Sequence, residues 1–380
     1  MAYLDHNATS CLRPQSRDAV ERALMVGGNP SSVHRQGRAA RAVVDEAREY
    51  VAGLVKSKPE EVVFTSGGTE ANFIGLWGAV LGSDDRGSRI ERLIVSAVEH
   101  DSVSKTVREI AAHRPDIGIA TVPVSADGVV DLGALRRALA ESGPALVAVM
   151  AANNETGAIQ PIQSVAEQVH ASGGWYLVDA VQACGKFNAD FAAADYLAIS
   201  AHKLGGPQGA GALIVRDSSP FAAIVCGGGQ ESNRRGGTEN VAGIAGFGAA
   251  AKMCRGDDSA RNGALRDRFE VGLRHIFPDV VIFSEHVARV SNTSCFAVPG
   301  IAAETALIAL DLDGVMVSSG AACSSGKVRP SHVLKAMGVS AELTRSALRV
   351  SLGWNSGEPD IEAALASLER LAARVTRRAA

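Results

Sequence analysis

Short apolar runs recur through the first two-thirds of the chain, at 62–65, 92–96, 118–122, 146–150, 176–178, 196–200 and 211–215. Between many of them, apolar positions repeat at helical spacing, at 38–54, 70–81, 102–113, 132–141 and 162–171. A run that is apolar at consecutive positions suits a strand buried on both faces, and strands separated by helices pair in parallel. The pattern predicts a mostly parallel sheet with helices on both sides. Glycine-rich segments at 204–211, 227–229 and 236–237 mark loops.

The pattern changes after residue 251. A helix is expected over 257–276, then strands at 280–284 and 290–298, a helix at 303–310 and a strand at 315–318. A loop of small residues (318–326) follows, then a helix beginning near Ser331, a strand at 349–352 and a terminal amphipathic helix at 361–375. This second region predicts a smaller α/β unit. The expected division is a large domain over 13–251 and a small one built from 1–12 and 252–380, with a loop at 318–330. A chain of 380 residues suits two units. No internal repeat or low-complexity linker separates them.

Composition narrows the function classes. Apolar residues make up 46% and charged residues 21%, as in soluble globular proteins. The net charge of -3 leaves no electrostatic footprint for nucleic acid or an anionic membrane. The spaced basic residues over 370–378 suit a solvated helix face. The six cysteines are Cys11, Cys184, Cys226, Cys254, Cys295 and Cys323, with no C-x-x-C pair, so zinc and dithiol signatures are missing. Scattered cysteines in a chain of this size predict a reduced, cytoplasmic protein. Neither signal-peptide features nor a membrane-length apolar stretch is seen.

The chemistry gathers at predicted strand ends. Lys203 follows the run Tyr196-Leu197-Ala198-Ile199 within Ser200-Ala201-His202-Lys203. Open α/β sheets bind ligands at the carboxyl ends of their strands. A desolvated lysine there releases its proton and reacts with a carbonyl; a surface lysine in a glycine turn is the competing role. Asp179 ends Trp175-Tyr176-Leu177-Val178, where a buried acid needs a partner. A protonated ring nitrogen fits, and so does a helix N-cap role. Thr65-Ser66-Gly67-Gly68-Thr69 reads as strand, glycine turn and helix start, which suits an anion such as phosphate. His100 ends a further strand, where it suits stacking on a planar ring, proton transfer or a purely structural task.

With these residues in place the chain resembles the cysteine desulfurases of the NifS/IscS type. The motifs occur in order: Tyr3-Leu4-Asp5-His6-Asn7-Ala8-Thr9, His34-x-x-Gly37-x-x-Ala40-Arg41, Thr65 to Asn72, Ser96-Ala97-Val98-Glu99-His100 and Asn153-Asn154-Glu155-Thr156-Gly157. Then follow Asp179-Ala180-Val181-Gln182, Ser200 to Lys203, Gly227-Gly228-Gly229-Gln230-Glu231, Gly237-Thr238-Glu239-Asn240, Ser319 to Gly326 and Arg349-Val350-Ser351-Leu352. The resemblance implies a fold-type I, pyridoxal 5'-phosphate (PLP) dependent transferase, with a mostly parallel seven-stranded sheet in the large domain. The implied reaction converts L-cysteine to L-alanine, passing sulfur to Cys323 as a persulfide. Lys203 is implied to bond the cofactor and then to act as acid–base. Asp179 pairs with the ring nitrogen, and Gln182 approaches the phenolic oxygen. His100 stacks on the ring and takes the thiol proton. Gly68, Thr69, Ser200 and His202 bind the phosphate. Thr238 reaches the phosphate of a second copy, implying a homodimer. Asn154, Arg349 and Asn7 hold the substrate, where a guanidinium suits a planar carboxylate. No resident metal is implied, although Cys323 is open to transient iron–sulfur contact. The implied sulfur acceptor is an iron–sulfur scaffold of the IscU/NifU type.

Cys323 sits among small polar residues that carry little apolar surface, so a mobile loop is expected. Mobility suits a thiolate that attacks substrate sulfur and then carries it outward. This longer form of the loop marks the NifS/IscS class. The rivals are a selenocysteine lyase or small PLP aminotransferase, which would need no thiol; a silent assembly partner, disfavoured by the complete cofactor set; and a nicotinamide dehydrogenase, disfavoured by the missing glycine fingerprint. Three departures from the family pattern stand at Phe73, Ser10 and Trp354. None falls at a residue given a chemical role; the Trp354 departure bears on the substrate entrance, with no direction predicted. The chain ends soon after its last predicted helix, so the longer tail with which some housekeeping members dock a scaffold is not expected.

Overall fold

The computed structural model describes residues 1–85, 87–254, 257–319 and 330–379. The chain opens with β1 (Ala2–Tyr3), α1 (Pro14–Val26) and α2 (Arg35–Val55). Then come β2 (Val62–Thr65), α3 (Gly68–Asp85), β3 (Arg92–Ser96), α4 (Asp101–His113), β4 (Gly118–Val122), α5 (Leu132–Leu139) and β5 (Ala145–Ala148). They are followed by α6 (Ile162–Ala171), β6 (Trp175–Asp179), β7 (Tyr196–Ser200), β8 (Gly211–Val215) and α7 (Val241–Met253). Strands β2 to β8 form one seven-stranded sheet in the order β2-β8-β7-β6-β5-β3-β4. Only β8 runs against its neighbours. The mostly parallel sheet expected from the sequence is present.

Both faces of this sheet are buried because its strands are apolar at consecutive positions. Val62 and Phe64, Tyr176 and Val178, and Leu197 and Ile199 pack into the core on one face. Their alternates Val63, Leu177, Tyr196 and Ala198 pack into the core on the other. Side chains alternate along a strand, so a continuous apolar run fills two cores at once.

Helices α1 and α7 lie at positions the apolar pattern did not mark. The α7 sequence is rich in small residues, and its glycines are contact points. A Cβ added at Gly248 would lie 2.6 Å from Ala47 Cα in α2, and one at Gly246 would lie 2.6 Å from Val20 Cγ2 in α1. Close backbone approach, rather than an amphipathic stripe, makes this helix.

The rest of the chain forms α8 (Asp257–Ile276), β9 (Val281–Ile282), β10 (Thr293–Ala297), α9 (Ala303–Leu312) and β11 (Val315–Met316). Then come α10 (His332–Ala336), α11 (Ala341–Arg345), β12 (Ala347–Ser351) and α12 (Glu358–Ala379). Strands β12, β10 and β9 make an antiparallel sheet, and β1 pairs in parallel with β11. Ala2 and Leu4 share a core with Phe269, Phe296, Leu348 and Leu368, so the first strand of the chain packs with its last elements. Among the described residues, no helix is long and apolar enough to cross a membrane.

Candidate active site

The segments that follow β2, β3, β5, β6 and β7 open on one cavity of about 560 Å3, where the strand-end rule places a ligand. Lys203 enters it from the turn Ala201–Lys203 directly after β7. Its Nζ donates to the carbonyl oxygens of Asn7 (2.6 Å) and Ala8 (2.7 Å). Burial first, and the Arg349 cation second, push the Lys203 amine down to about 8. Burial, then the charge of Lys203, push the neighbouring His202 imidazole down to about 4.

Asp179 ends β6 and is buried. Its Oδ2 accepts from Asn72 Nδ2 at 2.8 Å, and its Oδ1 from Val181 N at 3.0 Å. No helix begins there, so the N-cap role is replaced by a turn contact that leaves the carboxylate facing the cavity. His100, by contrast, does cap α4: its Nδ1 accepts from Ser102 N at 3.1 Å. It lines the cavity as well, so capping does not take it out of the site.

The opposite wall comes from the end of the chain and from its beginning. Arg349, on β12, donates through Nη1 to Asn154 O at 2.9 Å and through Nη2 to Asp5 Oδ1 at 2.7 Å. Asn7 Nδ2 donates to Thr293 Oγ1 at 2.9 Å and to Asn154 O at 3.2 Å. Gln182 Nε2 donates to Asn7 O at 2.9 Å. Gly68, Thr69, Asn154 and Ser200 complete the wall.

One expected site residue among those described does not line this cavity. Thr238 is exposed and does not line it. Cys323 lies outside the described residues; Ser318 and Ser319, which precede it in the sequence, line the cavity. Trp354 donates through Nε1 to Cys11 O at 2.8 Å and lies under Arg13, lining a smaller cavity that Lys203 also lines. Three other residues bear on the site without having been given roles: Asp5, Asn72 and Lys186. Asn72 had a sequence signal, since it follows Gly68 by one helical turn and therefore shares its helix face.

A cofactor with a phosphate, an aromatic ring nitrogen and a carbonyl fits what is present. Ser200 Oγ is buried with no hydrogen-bond partner among the described residues. It stands beside Gly68, where an added Cβ would come within 2.6 Å of Val181 Cγ2. Gly68 also begins α3, whose first N–H groups lack partners within the helix. This is an anion cradle. Asp179 pairs with no cation among the described residues and so is open to a protonated ring nitrogen. Arg349 Nε is likewise buried without a partner, leaving guanidinium capacity for a carboxylate.

Fold and site together define a fold-type I enzyme dependent on PLP. The aminotransferase class-V family model matches residues 2–364, and the chain belongs to that family. An IscS-like cysteine desulfurase of Mycobacterium tuberculosis is 38% identical, with 100% of this chain and 98% of that protein covered. Cysteine desulfurase IscS of Dictyoglomus turgidum is 38% identical, with 97% and 94% covered. Among solved structures, a NifS-like protein from Rickettsia africae has a TM-score of 0.87 at 33% identity, covering 98% of this chain and 99% of that one.

Proposed function

We propose that this protein is a cysteine desulfurase that converts L-cysteine to L-alanine and passes the sulfur to Cys323 as a persulfide for iron–sulfur cluster assembly. The observation that carries this is the meeting, in one cavity, of Lys203 with its amine pushed down to about 8, a buried Asp179 with no cation partner among the described residues, the orphan Ser200 Oγ and the spare Arg349 Nε.

PLP, when bound, supplies an electron sink for the bonds at the substrate Cα. Lys203 would hold it covalently and would move the Cα proton of the substrate; an amine pushed down to about 8 exchanges its proton readily near neutral pH. Asp179 keeps the ring nitrogen protonated, with Asn72 and Val181 N holding its carboxylate in place. Gln182, which lines the cavity, would approach the phenolic oxygen. Gly68, Thr69, Ser200 and His202 hold the phosphate. Arg349, Asn154 and Asn7 orient the substrate carboxylate, and His100 takes the proton of the incoming thiol. The Cys323 thiolate then attacks the substrate sulfur. A sulfur–sulfur bond forms, the Cβ–S bond breaks, and its electron pair passes to the carbon skeleton, which is protonated to alanine.

The same proposal includes a homodimer in which Thr238 of each copy reaches the phosphate held by the other. The exposure of Thr238 outside its own chain's cavity supports this. It also includes a scaffold of the IscU/NifU type as sulfur acceptor and a cytoplasmic setting. The test is incubation with L-cysteine and a reductant, wild type beside Cys323→Ala, following sulfide, alanine and the visible PLP band. The expected result is both products from wild type, and from Cys323→Ala a substrate-induced change in the band without sulfide. Sulfide released by Cys323→Ala at the wild-type rate would show that Cys323 is not the acceptor.

A further inference from the structure

Lys186 is a second lysine beside Lys203. It does not line the main cavity; it lines the small cavity of about 40 Å3 behind Lys203. Its Nζ donates to Asn7 Oδ1 at 2.7 Å and also to Gln182 Oε1. Both acceptors are neutral amide oxygens, and both amides belong to residues that do line the main cavity. An amine with two neutral acceptors is fully matched when it carries two protons. Burial, followed by the nearby cations Lys203 and Arg349, pushes Lys186 far below the usual lysine range, in agreement with that count.

An amide has an oxygen end and a nitrogen end, and a donor such as Lys186 accepts only the oxygen end toward itself. With both oxygens turned to Lys186, the two NH2 groups have assigned tasks. Gln182 Nε2 donates to Asn7 O at 2.9 Å, and Asn7 Nδ2 donates to Thr293 Oγ1 and Asn154 O. The Asn7 carbonyl that receives Gln182 is the one that receives Lys203 Nζ at 2.6 Å. Without Lys186, Asn7 Oδ1 keeps a donor in Asn292 Nδ2 at 3.1 Å, whereas Gln182 Oε1 loses the donor that holds it. A flipped Gln182 would then turn its oxygen against the Asn7 carbonyl.

We propose that Lys186 is a positioning residue: by donating to both amide oxygens it fixes Asn7 and Gln182 in the orientation in which the Asn7 carbonyl receives Lys203. The proposal rests on the assignment of Lys203 as the cofactor lysine. It is tested on the PLP-loaded protein through the cofactor dissociation constant and the pH midpoint of the visible band, with the melting temperature recorded alongside. Lys186→Met keeps the length and removes the donors; it is expected to raise the dissociation constant about tenfold or more and to displace the midpoint. Lys186→Gln, which keeps an NH2 donor, is expected to recover part of both. In the double variant with Gln182→Leu, the effects should fall short of their sum, because residues acting through one another do not add.

A Lys186→Met protein that melts lower yet keeps the wild-type midpoint and dissociation constant overturns the proposal, as does full additivity. If Lys186→Met does not fold, Gln182→Leu alone breaks the same link from the other side. Unchanged values there also overturn it. A wild type that takes up no PLP overturns the assignment of Lys203 itself, which is distinguishable from an unaltered Lys186→Met.

Discussion

The perturbed amine of Lys203 has a measurable consequence before any turnover. A lysine reacts with an aldehyde only as the free amine, so capture of PLP by the apo-protein should follow the deprotonated fraction. With the amine at about 8, roughly 1% is free at pH 6 and about half at pH 8, a rise of about fifty-fold. Above pH 8 only about a further twofold remains. An ordinary lysine near 10.5 would instead keep gaining about tenfold per pH unit up to pH 10. The assay is stopped-flow growth of the visible band on mixing apo-protein with PLP, from pH 6 to 10. A small primary amine is run in parallel to remove the titration of PLP itself. A midpoint near pH 8 and a plateau above about pH 9 are expected. In Arg349→Gln the plateau should move up, because a cation beside an ammonium disfavours it and its removal restores the proton. A rate still climbing tenfold per unit between pH 8 and 10 would refute the argument, and a plateau that moves down in Arg349→Gln would refute the assigned cause.

Two further predictions concern the support of the site and of the fold. Asn72→Leu removes the 2.8 Å bond to the Asp179 carboxylate, a bond to a charged group worth about 2 kcal/mol, so PLP should dissociate up to roughly thirtyfold more readily in an equilibrium titration; an unchanged dissociation constant would contradict it. Gly248→Ala drives a methyl to 2.6 Å from Ala47 Cα and should destabilise the fold by about 1–3 kcal/mol in urea unfolding, whereas a neutral or stabilising result would show that α2 and α7 separate freely.

The sheet was legible because its strands are buried on both faces. A run such as Tyr196-Leu197-Ala198-Ile199 fills one core with Leu197 and Ile199 and the other with Tyr196 and Ala198, and nothing local competes with that pattern. Elements that depend on backbone proximity were not legible. In α7 the glycines that usually break helices are the places where α1 and α2 come closest. The turn Glu231–Asn233 is a sharper case. Three successive residues other than glycine have φ of 47°, 55° and 63°, a conformation their side chains disfavour. It is held from a distance: the Glu231 carboxylate takes both arms of Arg48 at 2.8 Å and the Phe64 N–H at 2.9 Å. Long-range anchoring of this kind overrides local preference and leaves no local signature.

The site divides along the same line. Lys203, Asp179, Gly68 and His100 were legible because each follows a readable strand, and the strand ends of a parallel sheet converge. Asp5 and Lys186 were not, since their meaning lies in partners far along the chain. Asn7 shows why. It lies in no helix or strand, yet it bonds Lys186, Gln182 and Lys203 from the large sheet's loops, and Thr293, Ser351 and Asn292 from the later unit. Lys203, proposed to hold the cofactor, belongs to one of these groups of elements, and Arg349, proposed to hold the substrate carboxylate, belongs to the other. Arg349 is itself tied to Asp5, two residues before Asn7. Any movement that separates Lys203 from Arg349 must therefore first break bonds made by residues 5–7. The spacing between the amine and the guanidinium, which a substrate must bridge, is set by a short stretch whose own sequence pattern predicts no structure at all.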